Sequence, residues 1–174
     1  KLPTFDIEYL FLRLRAKSVG EKVTIGLKPW GCPKNDGALC ENTTEVEINL
    51  EEVKVTKDKT QSSKIMLDDK IGVTMKYPDI DAINLTGTTP ETTGMNVITS
   101  CIDMIFTGEE THERDSFTDE ELDEFIDSLN SQQFKLIREF FDNMPVLKHT
   151  VKYKCETCGE KKETILQGLN SFFG

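Results

Sequence analysis

Cys155 and Cys158 stand in Tyr153-Lys-Cys-Glu-Thr-Cys-Gly159, and a second pair, Cys32 and Cys40, stands far upstream. A C-x-x-C turn delivers two thiolates from one tight loop. The glycine after it lets the backbone turn so that N–H groups point at the sulfurs. Zinc takes four soft ligands at tetrahedral corners, so Cys32, Cys40, Cys155 and Cys158 together make one full set. Four thiolates leave no open position for water or substrate. The expectation is therefore a structural zinc that ties the start of the chain to its end. The seven residues between Cys32 and Cys40 exceed the usual two to four, which makes this the looser half of the site. Trp30 and Pro33 flank Cys32 and are placed to pack over the metal. A redox dithiol is the competing reading of Cys155 and Cys158. It fits less well, because the motif lies between two strands and does not open a helix.

Other chemistry finds little to stand on. Cys101 falls on an apolar stripe and reads as core. His149 alternates with Leu147 and reads as a core or surface histidine, and His112 lies in a polar break and reads as exposed. There is no Ser/His/Asp set, H-E-x-x-H, P-loop or G-x-G-x-x-G. The carboxylates Asp119, Glu120, Glu121, Asp123 and Glu124 have no partner nucleophile and suit the first turn of a helix, where the dipole favours them. The reading is that of a protein that is not an enzyme and has no small-molecule substrate.

At 174 residues the chain matches one domain, with 37% apolar and 30% charged residues. It contains no run of 18 apolar residues, so no membrane span is expected. No signal peptide is visible. The first residues are Lys-Leu-Pro without a methionine, and upstream residues are expected to be missing. Five cysteines, an odd number, fit a reducing compartment and a metal site better than a disulfide scaffold. The net charge is −10, spread as +3 over 1–40, −6 over 41–108, −9 over 109–145 and +2 over 146–174. Nucleic-acid binding needs a basic face to neutralise phosphates. The chain offers at most a small one, from Lys148, Lys152, Lys154, Lys161 and Lys162, so a zinc-ribbon module that binds nucleic acid stands only as an alternative.

The elements that would hold these residues follow from hydrophobic spacing. Residues 4–19 predict a helix, with Ile7, Leu10, Phe11 and Leu14 as its apolar face and Gly20 as its stop. Alternation at Val23-Ile25-Leu27, Val46-Ile48-Leu50, Val53-Val55, Ile65-Leu67 and Ile71-Val73-Met75 predicts an antiparallel sheet of four to six strands between 22 and 77. Helices are expected after 92. Met95, Ile98, Cys101, Ile102, Ile105 and Phe106 form a stripe, and 108–116 is an acidic break. Thr118 with Glu121 forms a capping box, and Phe117 with Leu122 a staple. Leu122, Phe125, Ile126 and Leu129 make the face of that helix. A second helix starts at Asn130 or Ser131, carries Phe134, Ile137, Phe140, Phe141 and Met144, and ends at Pro145. Strands from Leu147 to Tyr153 and from Lys161 to Leu166 bracket the C-x-x-C turn.

Three stretches carry a family resemblance: Phe5 to Gly20, Ile71-Gly-Val-Thr-Met-Lys-Tyr-Pro78, and the region from Phe134 onward. The last holds Glu139-Phe-Phe-Asp-Asn-Met-Pro-Val-Leu-Lys-His149, the C-x-x-C-G turn, and Leu166-Gln-Gly-Leu-Asn-Ser-Phe-Phe173. Together they resemble the baseplate hub assembly protein family of T-even-type contractile-tailed bacteriophages. The resemblance implies a late viral protein that builds the central hub of the tail baseplate, as a structural component or an assembly chaperone. Its partners would be other baseplate hub proteins, in the host cytoplasm during assembly and in the tail baseplate of the virion. Leu169, Phe172 and Phe173 give the tail apolar anchors suited to laying into a neighbouring subunit's groove.

The expected fold is α+β in a single domain over 1–174: an N-terminal helix with a sheet (1–91), a helical half (92–145), and a C-terminal zinc-ribbon-like hairpin with an apolar tail (146–174).

Overall fold

The computed structural model describes residues 1–29, 31, 43–57, 61–84 and 89–173. In chain order the main elements are α1 (Thr4–Ser18), β1 (Lys22–Leu27), β2 (Thr44–Asn49), β3 (Lys54–Thr56), β4 (Lys64–Met66) and β5 (Ile71–Met75). There follow α2 (Ile80–Ile83), α3 (Pro90–Ser100), β6 (Ile102–Thr107), β7 (Glu110–Glu113), α4 (Asp119–Asp127) and α5 (Ser131–Asp142). β8 (Val146–Lys154), β9 (Lys161–Gln167) and a 3₁₀ turn (Leu169–Phe172) complete the chain. The protein is a mix of helices and antiparallel sheets, as expected. Among the described residues no helix is long and apolar enough to cross a membrane.

Two compact units divide the chain. The first comprises Lys1–Thr4 and Lys57–Met144, the second Phe5–Thr56 and Pro145–Gly174. In the first unit, β4-β5-β6-β7 form a four-stranded antiparallel sheet in chain order, with α2 and α3 inserted between β5 and β6. Local turns set its register. Asp68 Oδ1 accepts the N–H groups of Lys70 (2.8 Å) and Ile71 (2.7 Å) between β4 and β5. Gly108, at φ +63°, turns the chain between β6 and β7, a backbone region that glycine enters without Cβ strain. The core joins Leu67, Val73, Met75, Cys101, Ile102 and Ile105 to Leu122, Ile126, Ile137 and Phe140 of α4 and α5.

Both helices start where capping chemistry predicts. Thr118 Oγ1 accepts from Glu121 N while the Glu121 carboxylate accepts from Thr118 N at 2.8 Å. Asn130 and Gln133 make the same reciprocal pair at the head of α5.

One helical expectation gives way. The stripe from Met95 to Phe106 is not one helix: α3 ends at Ser100, Cys101 caps it, and Ile102–Thr107 is strand β6. Ile102 and Ile105 are β-branched and suit a strand, and β5 offers the partner edge. The acidic break after it holds β7, paired back on β6. His112 there is half-buried, edge-on to Phe117 with ring centroids 6.0 Å apart.

The second unit holds two sheets, β1-β2 and β3-β8-β9. The single sheet expected between 22 and 77 is therefore split among three. Alternation fixes which face of a strand is buried, not which strand it pairs with. β3 finds β8, with Thr56 opposite Val146. The core is Leu12, Ala16, Ile48, Leu50, Val53, Leu147, Val151, Leu166 and Phe172.

The buried face of α1 also differs from expectation. Leu12 and Ala16 are buried, while Leu10, Phe11 and Leu14 are 57%, 52% and 67% exposed. The helix carries apolar residues on two faces. The face with Tyr9, Leu12 and the small Ala16 is the one packed against the core of this unit.

Candidate metal centre

The C-x-x-C turn joins β8 to β9, whose seven-residue register runs from Lys148↔Gln167 to Lys154↔Lys161. Cys155 N–H donates to Glu160 O at 2.9 Å, and Gly159 N–H donates to Cys155 O at 2.8 Å. Gly159 sits at φ +76°, which a side chain would strain. The turn is thus closed by its own backbone. Cys155 is 1% exposed and Cys158 is half-buried against it.

Thr44, a buried residue at the start of β2, reaches this turn. Its hydroxyl lies 3.9 Å from Cys155 Sγ and accepts the Glu156 N–H at 3.1 Å. On the other side, Lys162 Nζ of β9 donates to Gly31 O at 2.9 Å. The expected ligands Cys32 and Cys40, with Trp30 and Pro33, lie outside the described residues. Gly31, directly before that segment, and Thr44, two residues after it, both hold on to the C-x-x-C hairpin. Among the described residues, no three of His, Cys, Asp and Glu gather in a way that could hold a metal ion. Two thiols are the described share of the donor set. They fit zinc chemically, being soft and adjacent.

The remaining candidates fall elsewhere. Cys101 is wholly buried in the core of the first unit, where burial pushes its thiol up to about 11. His149 is half-buried on β8, opposite Leu166. Lys152, Lys154, Lys161 and Lys162 line a cleft of about 540 Å³ with Tyr153 and Glu163. Lys152 is paired with Glu163 (3.4 Å) and Lys162 with Glu160 (3.0 Å), so much of that basic charge is answered locally. In the tail, Phe172 is 0% exposed and fills the core of the second unit, and Leu169 is half-buried beside it. Phe173 is 40% exposed and meets Phe11 edge-on at 6.1 Å. The apolar face of α1 and the role of Thr44 were not legible from spacing. Thr44 shows in the sequence only as the first residue of an alternating run.

These features define an α+β protein of antiparallel sheets, with a closed two-thiol turn and exposed apolar groups at the tail and on one helix. The chain belongs to the T4 bacteriophage base plate protein family, whose model matches residues 1–174. It is a protein of the phage base plate, which associates it with the phage tail and with other phage proteins. No curated protein and no solved structure matches the chain significantly.

Proposed function

We propose that this base plate protein serves the central hub, as a component or an assembly chaperone, through protein–protein contacts. In this reading the C-terminal hairpin is a zinc-ribbon-like element. A structural zinc is held by Cys155 and Cys158 with Cys32 and Cys40. One observation carries it: the described flanks of the upstream cysteine segment, Gly31 and Thr44, both engage the hairpin. Cys32 follows Gly31 directly, and Cys40 is four residues before Thr44, a reach of at most about 14 Å of extended chain.

The zinc would act on folding and not on substrate. The second unit is built from segments far apart in sequence, and a shared cation would close that long loop. Of the tail residues, Phe172 and Leu169 would set the tail in place and Phe173 would meet the partner. The protein would act in the host cytoplasm during assembly and, as a hub component, remain in the virion.

Cys155→Ser tests the metal. It is expected to lose the zinc and to lower the melting temperature of the second unit. Melting at the wild-type temperature with bound metal unchanged contradicts a structural site. Pull-down from infected cells tests the role: hub proteins are expected on the bait. Base plate proteins from outside the hub, without hub proteins, contradict the hub role. Finding the protein in purified virions makes it a component, and its absence there makes it an assembly factor.

A further inference from the structure

In the second unit β1 has one edge paired and, among the described residues, no strand on the other. Leu50 N–H donates to Glu21 O at 2.7 Å, directly across the antiparallel ladder from it. Alternation then directs the N–H and C=O groups of Val23, Ile25 and Leu27 toward β2, and those of Lys22, Thr24 and Gly26 the other way. β1 pairs with β2 alone in its sheet, so these outward groups have no strand to bond among the described residues.

Beside this edge runs a groove of about 710 Å³. It is lined by β1 from Val23 to Leu27, by Arg15, and by the tail through Leu166, Phe172 and Phe173. Phe173 in turn meets Phe11, whose neighbours Leu10 and Leu14 are exposed. Main-chain donors and acceptors without a partner strand among the described residues therefore lie along a trough whose walls are mainly apolar, with Arg15, Asn170 and Ser171 as polar members. A trough with unpaired backbone along one wall suits an extended chain better than a helix, because a helix satisfies its own backbone and leaves the edge unpaired.

We propose that β1 accepts an extended segment of another base plate protein as an added strand, with apolar side chains at alternate positions entering the groove. Membership in the base plate family puts this chain among other base plate proteins, and one of these is the occupant; a second copy of this chain is an outcome that the test separates. The proposal rests on base plate membership and is independent of zinc.

Amide hydrogen exchange on the full chain, alone and with individually purified base plate proteins of the same phage, tests it. In the free chain the amides of Val23, Ile25 and Leu27 are expected to be protected, and those of Lys22, Thr24 and Gly26 to exchange. A binding partner is expected to protect the second set. Thr24→Pro, which removes an outward N–H without breaking a β1–β2 bond, is expected to weaken that binding about tenfold. Thr24→Ala is expected to leave it unchanged. Should Thr24→Pro fail to fold, Phe173→Glu on the groove wall is expected to weaken binding by a similar factor.

Binding that leaves Lys22, Thr24 and Gly26 exchanging, or wild-type affinity in a folded Thr24→Pro, overturns the proposal and leaves the hub role standing. Protection by base plate proteins from outside the hub alone supports the edge and removes the hub. No binding by any of them overturns both. Protection that grows with the concentration of this chain alone makes a second copy the occupant and overturns the proposal.

Discussion

The two units of this protein solve closure in opposite ways. The first is nearly continuous, from Lys57 to Met144: local turns join β4 to β5 and β6 to β7, and β5 pairs with β6 after the α2–α3 segment. The second is assembled from 5–56 and 145–174, so its β3-β8-β9 sheet pairs Thr56 with Val146 across ninety positions. Charge divides the same way. The first unit has nine Lys/Arg and nineteen Asp/Glu, the whole net charge of −10, while the second has twelve of each and is neutral. Local pairing needs little help, because each turn brings its neighbours together at small entropic cost. Long-range pairing costs more chain entropy, and the loop-closure term grows slowly with length. That is where a fastening such as a shared metal has the most to do. The neutral unit carries the β1 edge that has no partner strand among the described residues, and the exposed Phe173.

Phe172→Ala should break the comparison hardest. It empties the centre of the second core and is expected to cost about 3–5 kcal/mol there. Denaturant melts followed by residue-level exchange should show that loss in the second unit, with Leu122 and Ile137 amides of the first unaffected. Equal loss in both would merge them into one cooperative body.

Gly72→Ala is the counterpart in the first unit. A Cβ at Gly72 would fall on the Phe106 ring and 2.7 Å from the Ile65 carbonyl oxygen, between β4 and β6. The expected cost is about 1–3 kcal/mol, read as a lower urea midpoint for the β4–β7 amides alone. Thr118→Ala removes one side of the capping box of α4 and should cost about 1 kcal/mol, again confined to the first unit.

Acid should sharpen the contrast more gently. Hydrogen bonds from Lys70 and Ile71 N–H hold the Asp68 carboxyl below its ordinary range. Asp79, the cap of α2, is held down first by the Ala82 N–H, with smaller help from Lys1 and from the Asp81 N–H. Folded-state values below the unfolded ones mean a contribution that is complete at neutral pH. It is lost as pH falls below about 4 and through the folded values. A pH titration of the first unit's stability should therefore show a loss in that window, and Asp68→Asn should flatten it. A flat wild-type profile contradicts these turns.

How much was legible in the chain follows the same division. The capping box at Thr118, the helix start near Asn130 and the strands around Cys155 could be read directly, because each is decided by neighbours within a few residues. Misreadings came where distant partners decide. In α1 both faces carry apolar side chains, and only packing with Ile48, Leu50 and Phe172 selects Leu12 and Ala16 over Leu10, Phe11 and Leu14. In β6 the stripe at Ile102, Ile105 and Phe106 fits helix or strand, and the edge of β5 decides. Alternation marked the strands of the single expected sheet correctly and said nothing of their pairing. At the candidate centre the C-x-x-C-G turn was plain. The Thr44 hydroxyl beside Cys155 was not, since it acts across 111 positions.

Native mass spectrometry of the full, reduced chain, combined with thiol alkylation, tests most directly whether one cation fastens the second unit. The expected result is one zinc per chain, with Cys32, Cys40, Cys155 and Cys158 all shielded from alkylation until a chelator is added. A metal-free chain, or a zinc-bound one in which Cys32 and Cys40 react freely, would contradict it.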